Sequence, residues 1–223
     1  MSNEIILVIA AHADDEVLGC GGTIAKHVAS GDLVHEVFIT NGVSSRNVKD
    51  SQIKNRKNAS KKAANILGVA SIHQLDFPDN KLDSIPLLDI VQPIEKIIEE
   101  LQPDVIYTHH IGDLNIDHQL THKAVMVACR PQPDFCVKQI YAFEIPSSTE
   151  WQTPGYFAFM PNFYVDISNQ IKVKEQALEA YIEEMRPVPH SRSIKNLRNL
   201  SCLRGNSVGV NQAEAFVSVR VLR

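Results

Sequence analysis

The chain has 223 residues, of which 44% are hydrophobic and 22% charged, with a formal net charge of −4. These are ordinary globular values at a length that fits one large α/β domain, and the acidic balance argues against a nucleic-acid binder. The N-terminal region lacks a basic stretch and its apolar run covers only residues 5–11, so neither a signal peptide nor a membrane span is expected there; the four cysteines (Cys20, Cys129, Cys136, Cys202) show no CxxC spacing, which suggests free thiols and a cytoplasmic location.

In chain order, residues 5–11 read as a buried strand and 17–30 as a helix that begins in a glycine-rich turn and stops near Gly31. Residues 33–40 form a second strand, closed by Asn41-Gly42. Residues 51–67 carry Ile53, Ala59, Ala63, Ala64, Ile66 and Leu67 on one helical face, and Gly68 suits the C′ position. A short strand at 71–75 precedes a helix over 86–101, with Leu87, Leu88, Val91, Ile94, Ile98 and Leu101 in register and Gln102-Pro103 as its stop. A strand at 104–109 and a helix at 117–129 follow. This βαβα order predicts a mainly parallel sheet with helices on both faces. After Pro131 the pattern loosens into a C-terminal elaboration of the same domain. There, 139–143, 163–167 and 215–222 read as strands and 193–203 as a helix. Another helix is expected over 169–185, with Ile171, Leu178, Tyr181, Ile182 and Met185 on one side, broken by Arg186-Pro187-Val188-Pro189.

The first strand runs directly into His12-Ala13-Asp14-Asp15-Glu16. One imidazole and three carboxylates at the end of a buried strand are costly unless paired, and a divalent cation would pair them. His12 and Asp15, three apart, can converge if the chain turns into the next helix. Asp14 lies between them, free to act as a general base. Capping of that helix explains one acid, not three and a histidine. Gly19, Gly21 and Gly22 also suggest a dinucleotide turn, but Ile24 stands where the third glycine of GxGxxG belongs. The glycines more plainly let a helix start close to the sheet. The second half of the site is expected in Tyr107–His118, which follows the fourth strand. His118 is the natural third ligand, with Asp117 as its orienting or polar partner. His122 is four residues on, but Gln119 stands where a zincin would need glutamate. At most one of His109 and His110 is expected to face the pocket.

These residues resemble the LmbE/PIG-L family of zinc-dependent N-deacetylases. Ala11-His12-Ala13-Asp14-Asp15-Glu16 is similar to the family's AHPDDE signature, with Ala13 in place of proline, and Leu18-Gly19-Cys20-Gly21-Gly22 to its glycine turn. Asn115-Ile116-Asp117-His118 corresponds to HPDH. Arg56 with Leu67-Gly68, Phe77-Pro78-Asp79 and Ala213-Glu214-Ala215-Phe216 extend the likeness over nearly the whole chain. The resemblance implies a Rossmann-like fold and removal of acetyl from an N-acetylated amino sugar or glycoconjugate. It further implies Zn2+ (Fe2+ or another divalent ion being the alternatives) on His12, Asp15 and His118, with Asp14 as base and Glu16 in support. Homo-oligomers are common in the family. One departure bears on mechanism: Asn115 replaces the histidine expected to stabilise the oxyanion or protonate the amine. Its amide can still donate a hydrogen bond, and His190, in a proline-flanked turn, is a candidate substitute.

Arg56 and Arg192 are candidates for an anionic group on the substrate. The alternative for these, for Arg198 and Arg204, and for the run Arg46, Lys49, Lys54, Arg56, Lys57, Lys61, Lys62 is a solvated basic surface. The competing functions are an amidase acting on a non-sugar amide, an amino-sugar-binding module without turnover, and a nucleotide-dependent oxidoreductase.

Overall fold

The computed structural model describes residues 3–42 and 50–223, and of 50–53 the helical backbone. Strands β1 (Ile5–Ala10), β2 (Leu33–Thr40), β3 (Ser71–Phe77), β4 (Val105–His109), β5 (Gln139–Phe143), β6 (Phe163–Asp166) and β7 (Ala213–Val221) form one sheet in the order β3-β2-β1-β4-β5-β7-β6. The first five pair in parallel, and β7 runs antiparallel to both β5 and β6. The helices are α1 (Asp15–Ser30), α2 (Asp50–Leu67), α3 (Leu87–Leu101), α4 (Ile116–Ala128), α5 (Ile171–Ala180) and α6 (Ile194–Asn206). The mainly parallel α/β architecture read from the sequence is the one observed.

Alternation along β1 explains how one buried strand serves two cores. Ile6, Val8 and Ala10 face Val17, Leu18 and Ile24 of α1, Ala63 and Leu67 of α2 and Leu178 of α5. Leu7 and Ile9 face Ile90, Ile94 and Ile98 of α3 and Val125 of α4. Successive side chains of a strand point to opposite faces, so a sheet covered on both sides reads as an unbroken apolar run.

The chain builds outward from β1 to β3 and then returns to place β4 on the other side of β1. Ligand clefts of open α/β sheets form at such reversals, at the carboxyl ends of the strands. The two motif-bearing loops leave β1 and β4 there.

Helix α1 is kinked at Cys20, whose φ of −145° and ψ of 22° are non-helical. A break of this kind strands backbone donors and acceptors. Glu214 of β7 accepts from Gly22 N (2.9 Å), Thr23 N (2.7 Å) and Thr23 Oγ1 (2.6 Å). Lys174 of α5 donates to Glu214 (2.6 Å) and to the Leu18 carbonyl (3.1 Å). The charges of this buried pair face each other and both Glu214 oxygens are hydrogen-bonded, the condition under which burying charge is tolerated. It ties the C-terminal elaboration to the helix that presents residues 14–16. The glycines of α1 serve close packing: a Cβ on Gly19 would lie 2.5 Å from the Phe143 ring.

Two sequence expectations change in the C-terminal region. The helix read over 169–185 ends at Ala180. Tyr181 leaves the helical path because its hydroxyl donates to the buried Glu16 (2.6 Å), and Glu184 pairs with Arg56. Ile182, expected on the buried side, is consequently exposed. Of the basic run, Arg46 and Lys49 lie outside the described residues. Lys54, Lys61 and Lys62 are exposed, whereas the Arg56 side chain is turned inward.

Candidate active site

His12 Nδ1, Asp15 Oδ2 and His118 Nε2 form a triangle with edges of 3.1, 3.2 and 3.3 Å. Donors 2.0–2.2 Å from a tetrahedral zinc stand about 3.3–3.6 Å apart, so the triangle is close to the size of one face of such a site. Asp15 is fully buried and its Oδ1 has no hydrogen-bond partner, an arrangement that is costly for a carboxylate without a cation. Burial works against charge on His12, yet Asp117, Asp15 and Asp79 raise its pKa well above the usual value. His118 is likewise raised to about 9 against its burial, by Asp15 and Asp113. The field that favours a proton on these rings favours a cation between them. Two imidazoles and one carboxylate with a further position open is a donor set of catalytic zinc.

Each histidine is held from behind. His12 Nε2 lies 3.0 Å from Asp79 Oδ1 and 3.2 Å from Asp117 Oδ2. Asp117 also accepts from Asn80 N (2.6 Å) and Leu82 N (3.1 Å), two backbone donors that fix the carboxylate against the His12 ring. His118 Nδ1 lies 3.0 Å from Asp113 Oδ1. Asp113 in turn accepts from Ser148 Oγ and, at 2.6 Å, from Thr149 Oγ1. Its burial would raise its pKa, but His118 and the two hydroxyls hold it at about 2. The partner of His118 is thus Asp113, and Asp117 serves the other ring, a correction to the sequence reading. Carboxylates behind ligating histidines set ring orientation. Asp113→Asn is expected to weaken metal affinity about 10–100-fold, read by chelator competition; unchanged affinity would free Asp113 of that role.

Asp14 is buried beside the triangle. Its φ of 133° is unusual for a residue with a side chain, a backbone cost of about 1–3 kcal/mol that persists only where surroundings impose it. Glu16 imposes it: Oε2 accepts from Asp14 N (2.9 Å) while Oε1 accepts from Tyr181. Burial pushes Glu16 up to about 8, against those two donors. Asp14 Oδ2 accepts from Arg192 (2.9 Å), and Arg56 approaches Oδ1 at 3.5 Å. Burial raises the Asp14 pKa, and the two arginines oppose it. Arg56 and Arg192 therefore belong to Asp14, not to a wet basic surface. Arg198 and Arg204 are bidentate on Glu175 and Glu144. Arg192 also bonds Ser147 Oγ (2.8 Å), joining two loops over the pocket.

The remaining candidates are distributed differently. Asn115 caps α4, its Oδ1 accepting from Asp117 N (2.8 Å), and its Nδ2 donates to Asn80 (3.2 Å). It still lines the cavity of about 140 Å3 formed with His12, Asp14, Arg56, Asp79 and Arg192. His190 is not among the lining residues; its Nδ1 accepts from Arg192 N (3.0 Å) and its ring meets Trp151. His109 faces the cluster, stacked on His118 at 4.0 Å, and accepts from Ala11 N (2.8 Å). His110 accepts from Gly112 N, and His122 bonds the His109 carbonyl, so neither joins the triangle. The sequence reading missed Asp79, Asp113 and Tyr181 as supporting groups. The first two carried a signal, as acids just past strand ends; Tyr181 read as core.

A family model described as PIG-L, GlcNAc-PI de-N-acetylase, matches residues 7–129. The chain belongs to this family. It is 33% identical over 182 residues to the uncharacterized deacetylase YaiS of Escherichia coli K12, covering 79% of this chain and 89% of that protein. It is 29% identical over 231 residues to the diacetylchitobiose deacetylase of Thermococcus kodakarensis, covering 95% and 81%. A relative with another printed activity, 4-oxalmesaconate hydratase of Pseudomonas putida, is 26% identical over 232 residues, covering 95% and 85%. The fold is shared with N,N'-diacetylchitobiose deacetylase from Pyrococcus horikoshii, at a TM-score of 0.79 and 22% identity over 97% of this chain and 84% of that one.

Proposed function

We propose that this protein is a metal-dependent hydrolase that removes acetyl from an N-acetylated amino sugar. The observation that carries the reading is the His12–Asp15–His118 triangle with the Asp14 carboxylate beside it. His12, Asp15 and His118 would hold the ion, zinc by the character of the donors, with Fe2+ as the alternative. A cation there supplies Lewis acidity to the amide carbonyl and makes water a better nucleophile.

Asp14 accepts the proton of the attacking water on Oδ1, while Arg192 keeps Oδ2 and the orientation of the group. The new C–O bond forms as the carbonyl becomes tetrahedral. Asp14 then returns the proton to the amine nitrogen as the C–N bond breaks, releasing acetate. Asn115 Nδ2 and the Arg56 guanidinium supply N–H donors to the oxyanion and to sugar hydroxyls. His190 acts on this site through Arg192, whose backbone it holds.

The test pairs elemental analysis of the purified protein with acetate release from N-acetylglucosamine, N,N'-diacetylchitobiose and N-acetylated non-sugar amines. About one metal ion per chain and sugar-dependent acetate release, abolished by chelation and restored by Zn2+, is the expected result. Activity indifferent to metal removal would overturn it. The hydratase relative favours a second reading, addition of water to an unsaturated acid, which predicts no acetate release from any of these amides and hydration of an unsaturated carboxylic acid offered in their place.

A further inference from the structure

The amino ends of the strands, at the opposite edge of the sheet from the triangle, carry another group of donors. Glu4 precedes β1, His27 lies in the last turn of α1, and Asp32 stands in the turn between α1 and β2. Each offers one ligand atom, and the three atoms lie within 4.8 Å of one another. Strand β1 spans 6 residues, so about 20 Å of extended chain separates this group from His12.

The fold sets these side chains in place. Glu4 N donates to Asp32 Oδ1 (3.1 Å) and Leu33 N to the Glu4 carbonyl (3.0 Å), which fixes the start of β1 against the turn. His27 Nδ1 lies 2.7 Å from Asp32 Oδ2. Its other ring nitrogen, Nε2, lies 3.0 Å from the hydroxyl of Tyr107, on β4. Burial raises Tyr107 well above the usual phenol pKa, so that group stays a hydroxyl able to accept from Nε2–H. An imidazole held from behind through one nitrogen, with the other among carboxylates, has the arrangement of a ligating histidine.

Charge points the same way. Asp104, also beside the start of β1, has Lys138 as a partner (3.1 Å). Among the described residues no lysine or arginine pairs with Glu4 or Asp32, and the carbonyl end of α1 adds its own partial negative charge. Donors about 2.0–2.2 Å from an ion stand at most about 4.4 Å apart, so the group closes on one ion with small side-chain rotations. The His27 and Asp32 side chains are 19% and 14% exposed, which lets water complete the coordination shell.

We propose that Glu4, His27 and Asp32 form a further divalent-metal site, a clamp that ties the start of β1 to the end of α1. One imidazole with two carboxylates selects Zn2+ or Mn2+ over Mg2+. Being partly open to water, the site is weaker than the buried triangle and fills after it, on added metal. It is independent of the reaction catalysed at the other edge of the sheet.

Calorimetric titration of the purified, metal-loaded protein with Zn2+ tests the site. One further equivalent per chain should bind, and a hundredfold excess over its half-saturation should raise the melting temperature by about 5–10 °C. Mg2+ at the same concentration should do neither. Glu4→Gln removes one charged donor and keeps the backbone bond to Asp32; it should weaken the further equivalent by about tenfold or more and leave the metal of the triangle in place. His27→Gln should abolish the further equivalent. No further equivalent in the parent protein would overturn the site. So would one that survives both substitutions, which would move the ion to another donor group such as His12 with Asp79 and Asp117. A response to Mg2+ equal to that to Zn2+ would assign binding to the carboxylates alone and overturn the three-donor site.

Discussion

Asp14→Asn is expected to lower kcat for amide hydrolysis by about 10²–10⁴-fold while leaving metal content unchanged. Asparagine is the informative replacement. It tolerates the positive φ of 133° at this position better than most residues, and its amide oxygen can still accept from Arg192. Arg56 retains Glu184 as a partner. The variant thus preserves the fold and the triangle of metal donors, to which Asp14 does not contribute, and removes only the capacity to take a proton. Steady-state kinetics with metal analysis of the same sample check it. A rate within a few-fold of the parent would move the base elsewhere.

The second large effect is on the metal itself. In His118→Ala the bound metal should fall from about one per chain to near zero at equal free metal, with activity lost alongside. The loss in affinity should exceed the ~10–100-fold assigned to a supporting residue such as Asp113. The reason is geometric as well as chemical. His118 Nε2 is one corner of a triangle whose other corners, His12 and Asp15, come from a single loop. Among the described residues the neighbouring histidines of the β4 side are engaged elsewhere, His109 Nε2 accepting from Ala11 N and His122 Nδ1 bonding a carbonyl. Full occupancy in His118→Ala would remove that histidine from the ligand set. The graded order, His118→Ala far below Asp113→Asn and Asp113→Asn below the parent, separates a ligand from the carboxylate that orients it.

Much of this site is legible in the sequence because it follows from local rules. A strand that ends in His12–Glu16 must put those groups where β1 stops, and residues 109–118 must lie where β4 stops. In a parallel sheet both stops are on one edge. What local rules do not carry is which carboxylate faces which ring. Asp117 and Asp113 are four apart in one short stretch, and only the positions of Asn80, Leu82, Ser148 and Thr149 assign the first to His12 and the second to His118. The same holds for the arginines. Arg56 on a lysine-rich helix reads as wet surface, and turns inward because Asp14 and Glu184 lie opposite it.

The sequence by itself determined the α/β class, the strand and helix order, the two loops that meet at the site and the chemistry they hold. Each of these depends on apolar periodicity or on residues adjacent in the chain, so a linear reading reaches them. The tertiary structure alone decided the end of α5 at Ala180, the kink of α1 capped by Glu214 and Lys174, the strained backbone of Asp14 held by Glu16, and the engagement of Arg192 with Asp14. These depend on partners distant in the chain: Glu214 is 192 residues from Gly22, Arg192 is 178 from Asp14, and the Glu16 that holds Asp14 N is itself fixed by Tyr181, 165 residues away. The free energy of satisfying a buried charge exceeds the weak local preferences that a sequence pattern records.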